Sequence, residues 1–277
     1  MAGPLHRFLA LHRYWLILLF CIGLMGWLAT AAQVDGADRV LVVAIFMVVI
    51  WVPLTLLMVL IPRLRGFALI VGVMACLLQI IDPDEVVGPW GAPAAILGVC
   101  VLVLIASRIR VPLHLRGRLH FDHPANEVAA NFAYREWTDH WSSMLERVER
   151  HPDRPGRWRC HLAMPFGKLV PHFDAELVEA LPHGGIVARI EADHGKLSVR
   201  SVIRRELVPK DGGTEVTSHE HTRADLVSAA MFLLDRTPLD HLHQLRFHLD
   251  ARPDWTISAG AGRWWPTWRP VSVTSAF

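Results

Sequence analysis

Histidines in the C-terminal half of the sequence are the side chains with the clearest capacity for metal chemistry. His219 and His221 are two residues apart in a run with strand alternation, so both would project from one face and could share a metal ion. His241 and His248 would share one face of a helix. Neither pair is accompanied by an HExxH or paired CxxC motif, and histidine is common in this half of the chain. Metal binding is therefore a weak alternative, and no metal or cofactor is predicted.

Nucleophilic catalysis has less support. Cys160 is followed by His161, but neighbouring residues on a strand project to opposite faces, so these two cannot act as a pair. The sequence has no GxSxG, P-loop or GxGxxG motif in a strand–helix context. Whether the protein is an enzyme stays open, and a binding function is favoured.

The carboxylate of Glu220 is the remaining candidate for acid–base chemistry. It lies in the predicted strand Thr214–Arg223, where even and odd positions would occupy opposite faces. The two sets are Val216, Ser218, Glu220 and Thr222 on one face, and Glu215, Thr217, His219, His221 and Arg223 on the other. Val216 makes the first set the better inward-facing one.

The elements that would position these residues form an α+β order. Pro112–Phe121 alternates as a strand, and Ala125–Arg150 has the apolar spacing of one long helix, or of two short ones with a break near Tyr134–Glu136. Glycine-containing turns then separate the strands of an antiparallel meander: Arg157–Met164, Phe173–Leu181, Ile186–Ala192, Lys196–Val208 and Thr214–Arg223. Asp225–Leu234 and Pro238–Asp250 follow at helix spacing. This order predicts a curved antiparallel sheet around a long C-terminal helix.

The N-terminal part of the chain has a different composition. It holds four uncharged apolar runs, at Tyr14–Val34, Val40–Ile61, Gly66–Ile81 and Val86–Ser107. A membrane-spanning helix needs about 20 such residues, so the sequence predicts four transmembrane helices. None of the runs contains an ionisable residue, which argues against an ion or proton path and favours anchoring.

Charge in the gaps between these runs predicts the orientation. Arginines precede the first run, separate the second from the third and follow the fourth, whereas the other two gaps are acidic or nearly neutral. Because basic loops mark the cytoplasmic side, both termini are expected in the cytoplasm, with the protein in the inner (plasma) membrane. The cysteine usage agrees with a reducing compartment, since the sequence has no disulfide framework.

Composition divides the chain into three parts. Residues 1–110 form the predicted transmembrane region, residues 111–252 the predicted cytoplasmic α+β domain, and residues 253–277 a tryptophan-rich tail. Positive and negative charges are nearly balanced in the part after the membrane region, so no nucleic-acid partner is indicated.

The order of elements from about Leu115 to Asp250 resembles the START-like, or SRPBCC, helix-grip superfamily of polyketide cyclases and lipid-transfer domains. The local anchor is the segment from Phe121 to Val128, FDHPANEV, where the family has a strand followed by a proline-initiated helix. Trp137 and Trp141 lie where the family's short second helix ends. Most relatives are soluble, so a membrane leader departs from the family pattern.

This resemblance implies a cavity between the sheet and the C-terminal helix that takes a hydrophobic ligand. The implied ligand-binding residues are Glu220, Ser218, Thr222, Trp137 and Trp141. For Glu220 a second interpretation is open, and simpler: its carboxylate pairs with an arginine or lies near the rim.

The tail carries tryptophans beside arginines and prolines without a helix or strand period. Trp255, Trp264, Trp265 and Trp268 are the candidates for contact with the membrane interface, where tryptophan is enriched. Packing on the domain itself or on a partner protein is an equal alternative.

Three functions are consistent with the sequence. The first is a membrane-anchored module that binds or transfers a lipid or other hydrophobic small molecule, with membrane lipids as partners. The second is a subunit or assembly factor of a larger membrane complex, which would involve other membrane proteins. The third is a cyclase or aromatase-type enzyme that uses Glu220 or a histidine as acid and base.

Overall fold

A computed structural model provides the structure of the protein. The residues that it describes are 4–29, 36–60, 72, 97–98, 100–101, 104–132, 142, 145–162, 172–194 and 197–257. They divide into two compact units, a sheet domain made of Met1–Arg7 with Arg110–Phe277, and a helical unit made of Phe8–Ile109.

The helical unit contains two long apolar helices, α2 at His12–Ala29 and α3 at Gly36–Leu60, and the short helix α1 at Pro4–Ala10 precedes them. Aromatic side chains join α2 to α3, since Trp15 lies edge-on to Trp51 at 5.8 Å between ring centroids. The Trp51 indole N–H donates to the carbonyl of Trp15 at 2.9 Å.

Among the described helices, Val40–Leu60 within α3 is the one long and apolar enough to cross a membrane. Most of its large apolar side chains are exposed. The apolar part of α2 is shorter, at His12–Leu24, and the third and fourth predicted spans lie almost entirely outside the described residues. One described helix thus has the length and composition of a membrane span, and the four-span arrangement stays a prediction.

The sheet domain is α+β, as predicted. Its seven strands pair antiparallel throughout, in the order β1-β7-β6-β5-β4-β3-β2. The strands are β1 at Arg110–Phe121, β2 at Leu145–Arg150, β3 at Arg157–Leu162, β4 at His172–Ala180, β5 at Ile186–His194, β6 at Leu197–Lys210 and β7 at Gly213–Asp225. The helices are α4 at Ala125–Ala130, α5 at Leu226–Asp235 and α6 at Thr237–Leu249, and a 3-10 turn lies at Pro182–Gly184. Because β1 pairs with the last strand, the first and last strands of the domain are neighbours.

The prediction of helix over Ala125–Arg150 is wrong at its C-terminal end, where Leu145–Arg150 is strand β2. Leu145 and Val148 are both buried although they are three residues apart, a spacing that looks helical. A register shift between Leu145 and Arg147 explains it, because the extra residue of a bulge turns both side chains to the same face. Trp137 and Trp141 lie outside the described residues.

The single long C-terminal helix is also corrected, since α5 and α6 are separate. Asp225 caps α5, where its carboxylate accepts from the backbone N–H of Ser228 at 2.9 Å. The helix ends at Arg236, whose backbone is left-handed at φ 50°. Pro238 then stands in the first turn of α6, where a missing N–H costs nothing.

The main core lies between the sheet and α6. It consists of Phe121, Val128, Phe132, Ile186, Ala188, Leu207, Val216, Leu242 and Leu245. These come from β1, β5, β6, β7, α4, α6 and the residues after α4, so the helix closes one face of the sheet. A second apolar cluster holds β2, β3 and β4 together through Leu145, Val148, Cys160 and Ala175.

The N-terminal residues belong to this domain. The Arg7 side chain is only 2% exposed, and its guanidinium donates to the carbonyls of Thr256 at 3.2 Å and Asp254 at 3.3 Å. It also lies over the Trp255 ring at 5.0 Å. His6 packs edge-on against His243, with 4.7 Å between ring centroids. Residues before the helical unit thus fasten the segment that follows α6.

Candidate functional site

A strip of polar side chains runs along the inner face of β6 and β7. Ser201 and Arg205 come from β6, and Ser218, Glu220 and Thr222 come from β7. The strands align so that Ser201 is opposite Thr222 and Arg205 is opposite Ser218. Four of the five residues are buried, and Glu220 is partly exposed. We call these five residues the polar strip.

Apolar residues border the polar strip on both sides. On β1, Leu113, Leu115 and Gly117 are opposite Thr222, Glu220 and Ser218. On β5, Ile190, Ala188 and Ile186 are opposite Ser201, Ile203 and Arg205. The strip is thus a narrow polar band in a largely apolar face, which is the composition of a ligand site that fixes orientation with few polar groups.

The first turn of α6 lies directly over β1 at Gly117. A Cβ at this position would stand 2.7 Å from the backbone nitrogen of Leu239 and 2.8 Å from the carbonyl carbon of Pro238. Only a residue without a side chain permits this approach. The contact sets the depth at which α6 is seated, and His241 lies one turn further along that helix.

Glu220 is held by its neighbours on the inner face. Its carboxylate accepts a hydrogen bond from the Ser201 hydroxyl at 3.2 Å. Burial raises the pKa of Glu220, and the Ser201 hydrogen bond and the positive charge of Arg205 partly oppose that rise. The carboxyl group therefore takes up a proton more readily than an exposed glutamate does.

Arg205 and His241 supply the basic groups. The Arg205 side chain is 8% exposed, and its guanidinium lies over the Phe132 ring at 4.7 Å. Burial lowers the pKa of His241 to about 4, and the charge of Arg205 adds to this effect. Near neutral pH the site therefore contains a fixed cation, a neutral imidazole and a carboxyl group that is easily protonated.

Two polar atoms of this region have no hydrogen-bond partner among the described residues. They are the Thr222 hydroxyl and Nε2 of His241, and both atoms are buried. Buried polar atoms are nearly always paired, so such atoms mark places where a water or a ligand would bind.

The structure brings three of the predicted site residues together, since Ser218, Glu220 and Thr222 share the inner face. Trp137 and Trp141 lie outside the described residues, so their part of the prediction stays untested. Sequence reasoning missed Ser201 and Arg205, and it considered His241 only as a weak candidate for a metal ligand. The first two could have been found, because continuing the alternation of Ile203 and Leu207 along β6 places both inward.

His219 and His221 lie on the opposite, outer face. His221 contacts His114 on β1, and the two Nε2 atoms are 2.8 Å apart. Among the residues that the structure describes, no three His, Cys, Asp or Glu side chains are arranged to hold a metal ion.

Cys160 is buried in the second apolar cluster. Burial raises the pKa of its thiol to about 12, so the thiolate needed for nucleophilic attack is suppressed. Of the four tryptophans assigned to the membrane interface, Trp255 packs beside Arg7, and Trp264, Trp265 and Trp268 lie beyond the described residues.

The comparisons with known proteins bear on the fold alone. No family model and no curated protein matches the chain. Solved structures of similar fold include an uncharacterized protein from Rhizobium leguminosarum, 21% identical, covering 51% of this chain and 98% of that one at a TM-score of 0.41. A Chromobacterium violaceum protein is 18% identical, covering 51% and 96% at 0.38, and one from Geobacillus kaustophilus is 14% identical, covering 50% and 95% at 0.37. These values are too low to carry a functional argument.

Proposed function

We propose that the sheet domain is a START-like, SRPBCC-type helix-grip module that binds or transfers a hydrophobic small molecule and is anchored to the membrane by the helical unit. The observation that carries this proposal is the polar strip, a band of five polar residues, four of them buried, in an otherwise apolar face beneath α6. A ligand with an apolar body and a polar or acidic head matches that distribution.

Arg205 is the residue that would recognise the head of the ligand. Its five donors suit a carboxylate or phosphate group better than any other side chain in the strip. Thr222 and His241 have unmatched buried polar atoms that would complete the recognition.

Attachment to the inner membrane is proposed from the chain path. Residues 1–7 and 110–257 pack in one unit, so the chain leaves this unit after Arg7 and returns to it at Arg110. A path that begins and ends on one side of a bilayer crosses it an even number of times. If Val40–Leu60 is one crossing, residues 8–109 must supply at least one other, and the predicted four spans satisfy this requirement.

Native mass spectrometry of the full-length protein, released from detergent, tests the binding function. We expect an apolar molecule to copurify with the wild type and to be lost in Arg205→Gln. Arg189→Gln is the matched control, because Arg189 lies on the exposed outer side of the neighbouring strand β5. A wild-type protein free of apolar ligand, or equal retention by both variants, would contradict the proposal.

Acid–base catalysis of the cyclase type is the second candidate. It is favoured by one observation: the pKa of Glu220 is raised while that of His241 is lowered to about 4. Titratable groups with pKa values shifted in opposite directions are typical of acid–base pairs in active sites. In such a pair Glu220, whose pKa is raised by burial, would be the proton donor and the neutral imidazole of His241 the acceptor.

The copurified ligand of the first experiment provides the test for catalysis. Incubation with wild-type protein should convert the ligand to a product of different mass or chromatographic retention. Glu220→Gln should still bind the ligand but lose turnover, and Glu206→Gln, on the outer face of β6, should keep both. Conversion by Glu220→Gln at the wild-type rate would exclude this carboxyl group as the acid.

A further inference from the structure

The outer face of β1, β7 and β6 carries an unusual concentration of positive charge. Outward positions in three adjacent rows are Pro112, Arg223 and Arg200, then His114, His221 and Val202, then Arg116, His219 and Arg204. We call the seven basic residues of these rows the basic face. Its four arginines are all exposed.

Acidic residues on these three strands include Asp225, which ends β7, and Glu215 and Glu206, which form ion pairs. Glu215 pairs with Arg118 at 2.5 Å, and Glu206 pairs with Arg204 at 2.6 Å. For Arg116, Arg200 and Arg223, no ion-pair partner occurs among the described residues. Arg204 is thus compensated by Glu206, whereas these three arginines keep uncompensated positive charge, and like charges held close together repel unless an anion joins them.

A groove of about 350 Å³ lies in the middle of the basic face. Five of its lining residues project from the outer face, namely His114, Val202, Arg204, His219 and His221. The Val202 side chain is 41% exposed there, and the surface that lines the groove is mostly apolar, with basic side chains around it. A groove of this size, bordered by basic side chains, accommodates a phosphate group with its adjacent ester carbons.

A metal ion is the wrong occupant for this groove. The two histidine rings in contact, His114 and His221, would suit a divalent cation if they stood alone. Arg116 and Arg204 flank His219 in the neighbouring row. Arg204 is paired with Glu206, but the fixed positive charge of Arg116, which has no ion-pair partner among the described residues, disfavours a cation and favours an anion.

We propose that the basic face binds the phosphate of an anionic phospholipid headgroup at the membrane surface. The proposal rests on the membrane attachment proposed above, because a domain tethered to a bilayer meets its headgroups at high effective concentration. Exposed basic residues near an anionic leaflet are attracted to it. The outer face of β1, β7 and β6 is also open to solvent, whereas the polar strip is covered by α6.

The test measures lipid adducts on the full-length protein by native mass spectrometry, with phosphatidylglycerol and phosphatidylcholine of identical acyl chains as the two probes. The wild type should prefer phosphatidylglycerol. Arg116→Gln with Arg204→Gln should weaken that binding about 25-fold, since each basic residue near an anionic surface contributes roughly fivefold. Lipid bound to the helical unit should contribute equally to the adducts of every variant, because none of the substitutions lies in that unit.

The control variant is Arg118→Gln with Arg147→Gln, which changes the net charge by the same amount at exposed positions outside the basic face. It should stay within twofold of the wild type. Equal weakening in both double variants, or none in either, would overturn the proposal. Arg223→Gln, a single change at an exposed site, gives a second measurement if the double variant does not fold.

Inorganic phosphate distinguishes a lipid from a soluble phosphate compound. If phosphate alone raises the melting temperature of the wild type through Arg116 and Arg204, while phosphatidylglycerol shows no dependence on them, the lipid assignment is wrong. Failure of this test leaves apolar ligand retention through Arg205 intact, because Arg205 lies on the opposite face of β6.

Discussion

The two faces of strands β6 and β7 give the same residue types opposite properties. Glu220, on the inner face, has a raised pKa because it is buried, whereas Glu215, on the outer face, has a lowered pKa because Arg118 donates a hydrogen bond to it. Arg205 is buried beside Phe132, and its neighbour Arg204 is exposed and paired with Glu206. The burial and the pKa of a charged side chain on these strands therefore depend on which face of the sheet it occupies more than on its residue type.

The comparison also separates the two proposed binding surfaces. The inner face is closed by α6 and surrounded by apolar rows, so it suits a molecule that leaves water. The outer face is open and basic, so it suits a ligand that stays at an aqueous boundary. Four variants test how strictly the two faces are separated.

Gly117→Val should have the largest effect. The new side chain would meet the backbone of Leu239 and Pro238, which cannot move without unseating α6. We expect a loss of at least about 3 kcal/mol of unfolding free energy, the upper range for overpacking a core. Arg116→Val on the outer face of the same strand should change stability little. Thermal unfolding followed by circular dichroism distinguishes the two variants. Equal melting temperatures would mean that the two faces tolerate a valine equally well.

His241→Asn should alter the pH dependence of stability. The folded protein holds the pKa of His241 at about 4, below its ordinary 6.5, so the fold favours the neutral ring. In the wild type, this contribution to the free energy of unfolding should be complete above pH 6.5 and should be lost as the pH falls towards 4. The loss amounts to roughly 3 kcal/mol for this shift.

The His241→Asn variant should lack that part of the acid loss, as measured by chemical denaturation from pH 7.5 to 4. Thr217→Ala, an outer-face change that removes no titrating group, serves as the control and should follow the wild type. An acid profile unchanged by His241→Asn would show that the ring is not buried between α6 and the sheet.

Glu220→Gln should have the smallest effect and should be stabilising. Because the folded-state pKa of Glu220 is raised, its contribution to stability is complete below the pKa of the unfolded chain and is lost as the pH rises through the folded value. The stability of Glu220→Gln relative to the wild type should therefore increase between pH 4 and pH 8.

Glu215→Gln should behave in the opposite way. The folded-state pKa of Glu215 is lowered, so its contribution is present above the unfolded value and lost on acidification. The melting temperatures of both variants across this pH range test the comparison directly. A Glu220→Gln protein less stable than the wild type at pH 8 would mean that the buried carboxylate is fully compensated.

The sequence was sufficient to predict which residues of a strand share one face of the sheet. Half of the candidate site could be predicted in the same way. The alternation around Val216 placed Ser218, Glu220 and Thr222 on the inner face. The same alternation around Ile203 contains Ser201 and Arg205, but a charged residue at an inward position is hard to accept without knowing what it touches. Phe132, which supports Arg205, is 73 residues away in the sequence, and local periodicity cannot reveal such a contact.

Strand β2 shows where local pattern misleads. Leu145 and Val148 have helical spacing, yet a bulge opposite β3 brings both side chains into the same apolar cluster. The bulge exists only because β3 is there to pair with, so the segment from 145 to 150 carries no sign of it. In the same way, nothing near Arg7 indicates that the backbone after α6 will accept its hydrogen bonds.

The sequence by itself determined which side chains share a strand face, which runs are apolar enough for a membrane and that the C-terminal domain is α+β, because each follows from a periodicity or a composition within a few residues. Tertiary structure alone decided which face α6 covers, how closely it approaches at Gly117 and which charges are buried. Those properties arise from contacts between distant segments, and the pKa values of Glu220 and His241 depend on the burial that such contacts create.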